Sequence, residues 1–209
     1  MKIVVFGSTG GTGREFVEQA LQQGHHVTAQ TRSPEKIAQF DHPELEVVRG
    51  DVLDQQSVEQ AVVGQEAVLC AIGVGTERTT LREDGTRNIV SAMEKSDVSR
   101  FVCLSSLGVG DSRANLPLFT RYVIVGVFLR HAFADHERQE RSVRQSSLAW
   151  TLVRPPHLQD GPRTGKYQHG FPPPYRKIRG QVSRADVADF MLQQLTDDAY
   201  VRRTPGISY

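Results

Sequence analysis

The chain has 209 residues, a formal net charge of +1, 23% charged and 38% hydrophobic side chains and two cysteines. That length suits one domain, and the charge balance argues against nucleic acid or an anionic membrane as partner. Two cysteines, Cys70 and Cys103, make no disulfide framework. The apolar run Ile3 to Phe6 predicts a strand ending at Gly7. A helix follows at once, with Phe16, Val17, Ala20 and Leu21 on one face, and stops at Gly24. Val27 to Ala29 predicts a second strand ending at Thr31-Arg32, and Leu45 to Val48 a third closed by Gly50-Asp51. A helix over 54–63 leads to the apolar run Ala67 to Ile72, as expected of a parallel strand covered on both faces, which ends at Gly73-Val74-Gly75. Then come a helix over 80–95 with Ile89, Val90 and Met93 inward, a strand Phe101 to Leu104 ending in Ser105-Ser106, and a strand Trp150 to Val153 ending in Arg154-Pro155-Pro156-His157. Ser183 caps a last helix that buries Val187, Phe190, Met191 and Leu195. This alternation predicts an α/β chain with a doubly wound parallel sheet. Both cysteines fall inside expected core strands as small apolar residues.

Strand, glycine turn, helix, strand over 2–32 is the pattern of a dinucleotide-binding βαβ unit. Gly7 would permit the tight turn, Gly10 would let a pyrophosphate approach the backbone, and Gly13 would let the helix pack close to the sheet. The helix N-terminus would offer unpaired N–H groups to the phosphates. NAD-selective units end the second strand in Asp or Glu, which binds the ribose 2′-hydroxyl. Here Arg32 stands at that place and Lys36 follows one turn later. A guanidinium attracts a 2′-phosphate that a carboxylate would repel, so the expected cofactor is NADPH. The alternative is that both are ordinary solvated loop cations.

In such sheets ligands sit outside the carboxyl ends of the strands. Gly7 to Gly13, Arg32, Asp51, Gly73, Ser105-Ser106 and Pro155 to His157 all fall at such ends. Asp51 would accept from the adenine amino group, Gly73 would pass close to a ribose, and the serine hydroxyls would meet the nicotinamide and a substrate carbonyl. The competing readings are a turn aspartate and serines that satisfy their own backbone.

The chain resembles the atypical short-chain dehydrogenase/reductases, and within them the biliverdin IXβ reductase/flavin reductase group. The resemblance rests on FGSTGGTG at 6–13, TRS at 31–33, GDVLD at 50–54, GTRNIVSAM at 85–93, LSS at 104–106, DH at 135–136, RPPH at 154–157, GPRTGKY at 161–167 and SRADVADFML at 183–192. It implies a Rossmann-like single domain over 1–209, with segments 111–135 and 158–182 covering the substrate site. It implies an NADPH-dependent reductase of flavins and linear tetrapyrroles, with FMN a substrate rather than a fixed cofactor and no metal. By motif, Gly7, Thr9, Gly10, Thr12 and Gly13 would hold the pyrophosphate, Arg32 and Lys36 the 2′-phosphate, and Asp51 and Val52 the adenine. Gly73, Ser105 and Pro155 would line the cofactor site, Ser106 would face nicotinamide and substrate, and His157 would lie on the floor of the site.

Two departures refine this reading. The Tyr-x-x-x-Lys acid pair of the tyrosine-type enzymes is absent: Tyr122 is followed four residues on by Gly126, and by alignment Ala132 and His136 hold the two positions. His136 would then contact the nicotinamide ribose. Flavin reduction tolerates the loss, because hydride goes to N5 and solvent supplies the proton; of the chain's own groups, His157 is the general acid by type. The group also places an arginine directly after the fourth-strand glycine, where this chain has Val74 and then only Arg78 nearby. Arg176, Lys177 and Arg179, beside Pro172 to Pro174, would supply a positive rim instead, or are solvated cations. The apolar stretch Leu116 to Leu129, with Arg121 inside it, is short of the roughly 20 residues that span a bilayer; it predicts a helix over the site or a dimer face. The chain enters its first strand at once, so no leader peptide and a cytoplasmic location are expected, as monomer or homodimer. The partner is then a flat aromatic acceptor, flavin or bilin. A quinone reductase and a non-enzymatic NADP(H)-sensing regulator are the alternatives.

Overall fold

The computed structural model describes residues 1–74, 78–116, 125–127, 129–171 and 180–209. Gly75, Arg121, Tyr122, Pro172 to Pro174, Arg176, Lys177 and Arg179, and most of the expected helix over 116–129, lie outside the described residues. The chain runs β1 (Lys2–Phe6), α1 (Gly11–Gln22), β2 (His26–Thr31), β3 (Leu45–Arg49), α2 (Gln55–Val62), β4 (Ala67–Cys70), α3 (Leu81–Lys95), β5 (Arg100–Leu104), α4 (Arg130–Gln145), β6 (Ala149–Val153), β7 (His157–Gln159), β8 (Gln168–His169), β9 (Gln181–Ser183), α5 (Arg184–Gln193) and β10 (Ile207–Ser208).

Six strands form one sheet in the order β3-β2-β1-β4-β5-β6, every pair parallel. The chain steps outward from β1 through β2 to β3, then returns to the other side of β1 as β4. The order thus reverses at β1, and a crevice opens outside the ends of β1 and β4. Alternation along β1 divides the core: Ile3 and Val5 join α1 and α5 on one face, whereas Val4 and Phe6 join α2 and α3 on the other. The doubly wound sheet expected from the sequence is therefore present. Cys70 and Cys103 lie opposite each other on β4 and β5, buried and free. Two small ladders, β7 with β9 and β8 with β10, stand apart from the sheet; two or three residues carry no readable periodicity, and none of the four was expected.

Helix starts are held in different ways. Asp54 caps α2 by accepting from the Gln56 N–H, and Ser183 caps α5 by accepting from the Asp186 N–H at 3.0 Å. No side chain caps α1. The α3 start is capped from outside: Asp135 of α4 accepts from the backbone N–H of Arg82 at 3.3 Å and of Glu83 at 3.2 Å. Among the described residues no helix is long and apolar enough to cross a membrane.

Candidate cofactor and acceptor site

The glycines of the first turn have distinct jobs. Gly7 sits at φ 83°, and a Cβ there would lie 2.6 Å from the Ala71 carbonyl carbon and 2.9 Å from the Ile72 N; only glycine lets the end of β1 pass the end of β4. A Cβ on Gly13 would run into the Gly7 carbonyl and come 3.1 Å from the Ser8 Cα. Gly13 therefore lets the first turn of α1 lie against the backbone at the end of β1, the close helix–sheet approach expected of it. Gly10 differs: its nearest neighbour would be the Gly7 oxygen at 3.4 Å. The protein leaves room for a side chain there and the chain supplies none. With the uncapped α1 N-terminus behind it, this empty cradle fits a pyrophosphate.

A cleft of about 240 Å³ opens from the turn, with Gly7, Thr9, Gly10, Arg32, Lys36, Asp51, Val52 and Gly73 on its walls. The sequence-expected residues of the adenine half are thus brought together. One Asp51 oxygen accepts from the Leu53 N–H at 3.0 Å, the turn role foreseen as the alternative; its other oxygen has no such duty.

A second cavity of about 320 Å³ adjoins it, sharing Gly10, Ile72 and Gly73 and adding Thr12, Ser105, Ser106, His136 and Pro155. The adjacent serines are not equivalent. Ser105 is buried and donates to Glu140 Oε1 at 2.6 Å. Among the described residues Ser106 makes only a 3.4 Å bond to the Leu107 carbonyl, so its hydroxyl is the one open to a ligand. His136 is held neutral: burial first, then the Arg82 guanidinium, lowers its pKa to about 3. Gln139 donates its amide to Thr86 Oγ1 at 3.1 Å, and its oxygen lies 3.2 Å from His136 Nδ1. That network assigns the proton to Nδ1 and leaves Nε2 as an acceptor.

His157 is a correction. It is exposed and is not on the cavity wall; Leu158 is. Successive residues of a strand face opposite ways, so turning Leu158 inward sends His157 out. Gly13, buried in the turn, is likewise absent from both walls.

Sequence reasoning missed Arg82. It lines the second cavity at 6% exposure, donates to the Val74 carbonyl at 3.1 Å, and lies 3.4 Å from Asp135, while its Nε has no partner among the described residues. The residue directly after Gly73 is Val74, and the cavity's buried arginine comes instead from α3. One signal was available: a cation in the first turn of a helix, where the macrodipole disfavours it. Arg154 and the GPRTGKY loop are scaffolding. Arg154 is fully buried and bonds Glu140 through Nε (2.8 Å) and Nη2 (2.6 Å) and Asp111 through Nη1 (2.6 Å). Burial alone would lower its pKa, but the Glu140 and Asp111 contacts outweigh that and raise it. The GPRTGKY loop is pinned to α5: Thr164 and Gly165 N–H donate to Asp186 at 2.7 and 2.9 Å, and the Tyr167 hydroxyl to Asp189.

The profile of an NAD(P)H-binding family matches residues 7–198. An uncharacterized chloroplastic protein of Arabidopsis thaliana is 32% identical over 94% of this chain and 72% of its own. Among solved structures, a short-chain dehydrogenase/reductase of Veillonella parvula in complex with NADP superposes with a TM-score of 0.84 at 20% identity, covering 100% of this chain and 94% of that one. ChuY of Escherichia coli O157:H7, described as an anaerobilin reductase, superposes with a TM-score of 0.80 at 25% identity, covering 100% and 97%. The chain therefore belongs to this NAD(P)H-binding family, and its fold is that of the NADP-bound short-chain dehydrogenase/reductase.

Proposed function

We propose that the protein is an NADPH-dependent reductase that passes hydride to a planar conjugated acceptor, a flavin such as FMN or a linear tetrapyrrole. The observation that carries this reading is His136, a neutral imidazole where the tyrosine-type enzymes place a lysine. A lysine there lowers the pKa of the tyrosine acid; a neutral ring with Nε2 as acceptor has no such use, but takes a hydrogen bond from a ribose hydroxyl. The likeness to ChuY, an anaerobilin reductase, supports a bilin-type acceptor.

When bound, NADPH supplies the hydride. The chain's own residues bind, orient and exclude water. Thr9, Gly10 and Thr12 take the pyrophosphate, Arg32 and Lys36 the 2′-phosphate, and Asp51 and Val52 the adenine. Ser106 orients the carboxamide or an acceptor carbonyl, Arg82 offers positive charge to the same cavity, and Pro155 and Pro156 form a flat wall for stacking. Leu158 brings the start of segment 158–182 onto the wall, the end of that segment best placed to cover the acceptor. Proximity and orientation then provide the acceleration, and solvent provides the proton.

The test is NADPH oxidation measured in parallel against FMN, biliverdin and a quinone. Reduction of FMN and biliverdin, each inhibiting the other competitively, is the expected result. Turnover with the quinone alone would change the acceptor class. Tight NADPH binding with no acceptor reduced would make the protein an NADP(H) sensor.

A further inference from the structure

Gly11 is a glycine that the phosphate turn does not need. It falls outside the Gly7, Gly10, Gly13 spacing and is the first residue of α1. The three atoms nearest a Cβ on it would all belong to Arg184: Cδ at 2.5 Å, Nε at 2.8 Å and Cζ at 3.7 Å. Arg184 opens α5, the helix packed beside α1. Its side chain lies across Gly11 and lines the same cavity as Gly10 and Thr12. Gly11 is therefore the seat of an arginine that arrives from the far end of the sequence.

Two helix N-termini, each with a positive dipole end, meet beside one guanidinium. Arg184 Nη1 bonds Asp160 Oδ1 at 2.7 Å, and the Asp160 side chain is 94% exposed. An ion pair that exposed holds its partners weakly. A bridging dianion at the turn would bind the same guanidinium through charge-assisted hydrogen bonds that the solvated aspartate cannot match.

We propose that Arg184, laid across Gly11, is a clamp for the cofactor's pyrophosphate, exchanging Asp160 for the phosphate oxygens when the dinucleotide binds. The inference rests on the cofactor site and is independent of which acceptor is reduced. It separates two kinds of cation. Arg32 reads the 2′-phosphate and so discriminates NADPH from NADH; Arg184 grips what both share.

The test is binding of NADPH, NADH, ADP-ribose and adenosine 2′-monophosphate to the full chain by calorimetry. Arg184→Gln is expected to weaken the first three by one common factor of about tenfold. The NADPH-to-NADH ratio and the affinity for adenosine 2′-monophosphate, which has no 5′-phosphate, should stay as they are. Gly11→Ala, with Arg184 intact, should give the same loss by displacing the side chain, and the double variant should be no weaker than either single one. Asp160→Asn removes the competing carboxylate and should bind ADP-ribose more tightly than the unaltered chain, which keeps the test decisive if Arg184→Gln fails to fold. Unchanged ADP-ribose affinity in Arg184→Gln, strictly additive losses in the double variant, or equal or weaker ADP-ribose binding in Asp160→Asn would each overturn the clamp.

Discussion

The two halves of the site are built on different principles. The adenine and pyrophosphate half is made of backbone: a turn in which Gly7 and Gly13 are demanded by backbone atoms 2.6–3.1 Å from where a Cβ would stand, with two exposed cations at its rim. The acceptor half is made of side chains from α3, α4 and the segments that follow β5 and β6, several of them fastened by carboxylates outside the cavity. Ser105 leans on Glu140, Glu140 on Arg154, and Arg82 on Asp135. The first half recognises by shape that sequence spacing dictates; the second depends on a buried ionic scaffold assembled by the fold.

The largest effect should come from that scaffold. Arg154→Met takes from the Glu140 carboxylate, 3% exposed, its buried cation and leaves it only the half-exposed Arg144 at 3.3 Å; the change should cost about 3–5 kcal/mol in urea unfolding. A loss under about 1 kcal/mol would mean that the acceptor half does not hang on this pair. Next comes acid. Unfolding returns His136 from a pKa of about 3 to its ordinary value near 6.5. Between those values the unfolded chain binds a proton that the native chain does not. Its share of stability is therefore complete above pH 6.5 and is lost as pH falls toward 3, by up to about 1.4 kcal/mol per pH unit. His136→Asn should flatten that slope; an unchanged slope would place the acid sensitivity elsewhere.

The adenine half should respond without loss of stability. NADPH should bind at least tenfold more tightly than NADH, and Arg32→Ala should remove most of that preference at unchanged melting temperature. Equal affinities in the unaltered chain would leave Arg32 and Lys36 as surface charges. The smallest effect divides the two serines. Ser106→Ala should slow turnover by a moderate factor with stability intact, whereas Ser105→Ala should lower stability first. Equal behaviour would erase the distinction drawn from their bonding.

The halves also differ in how far they could be read in advance. Ala67 to Ile72 announces a covered parallel strand, and Gly7, Gly10 and Gly13 announce the turn, because backbone sterics leave few other residues possible. Arg82 and Arg184 announce little: each is a cation in the first turn of a helix, a faint signal in a start that otherwise reads as a solvated face. Ser105 and Ser106 are identical neighbours in sequence, and only Glu140, 35 residues on, tells them apart. Arg154 reads as part of a site motif until its burial shows that it braces the site from behind. What escapes the sequence is partnership at long range.

The pinning of the cavity walls from outside has a consequence for descent. Asp186 holds the 164–165 loop and Glu140 ties β5 to β6 through Ser105 and Arg154, and neither carboxylate faces the ligand. Mutation is therefore free to exchange Ser106, Pro156 or Leu158 while the anchors stay put. A lineage of such chains should drift in the molecule it reduces long before it drifts in the nucleotide it uses.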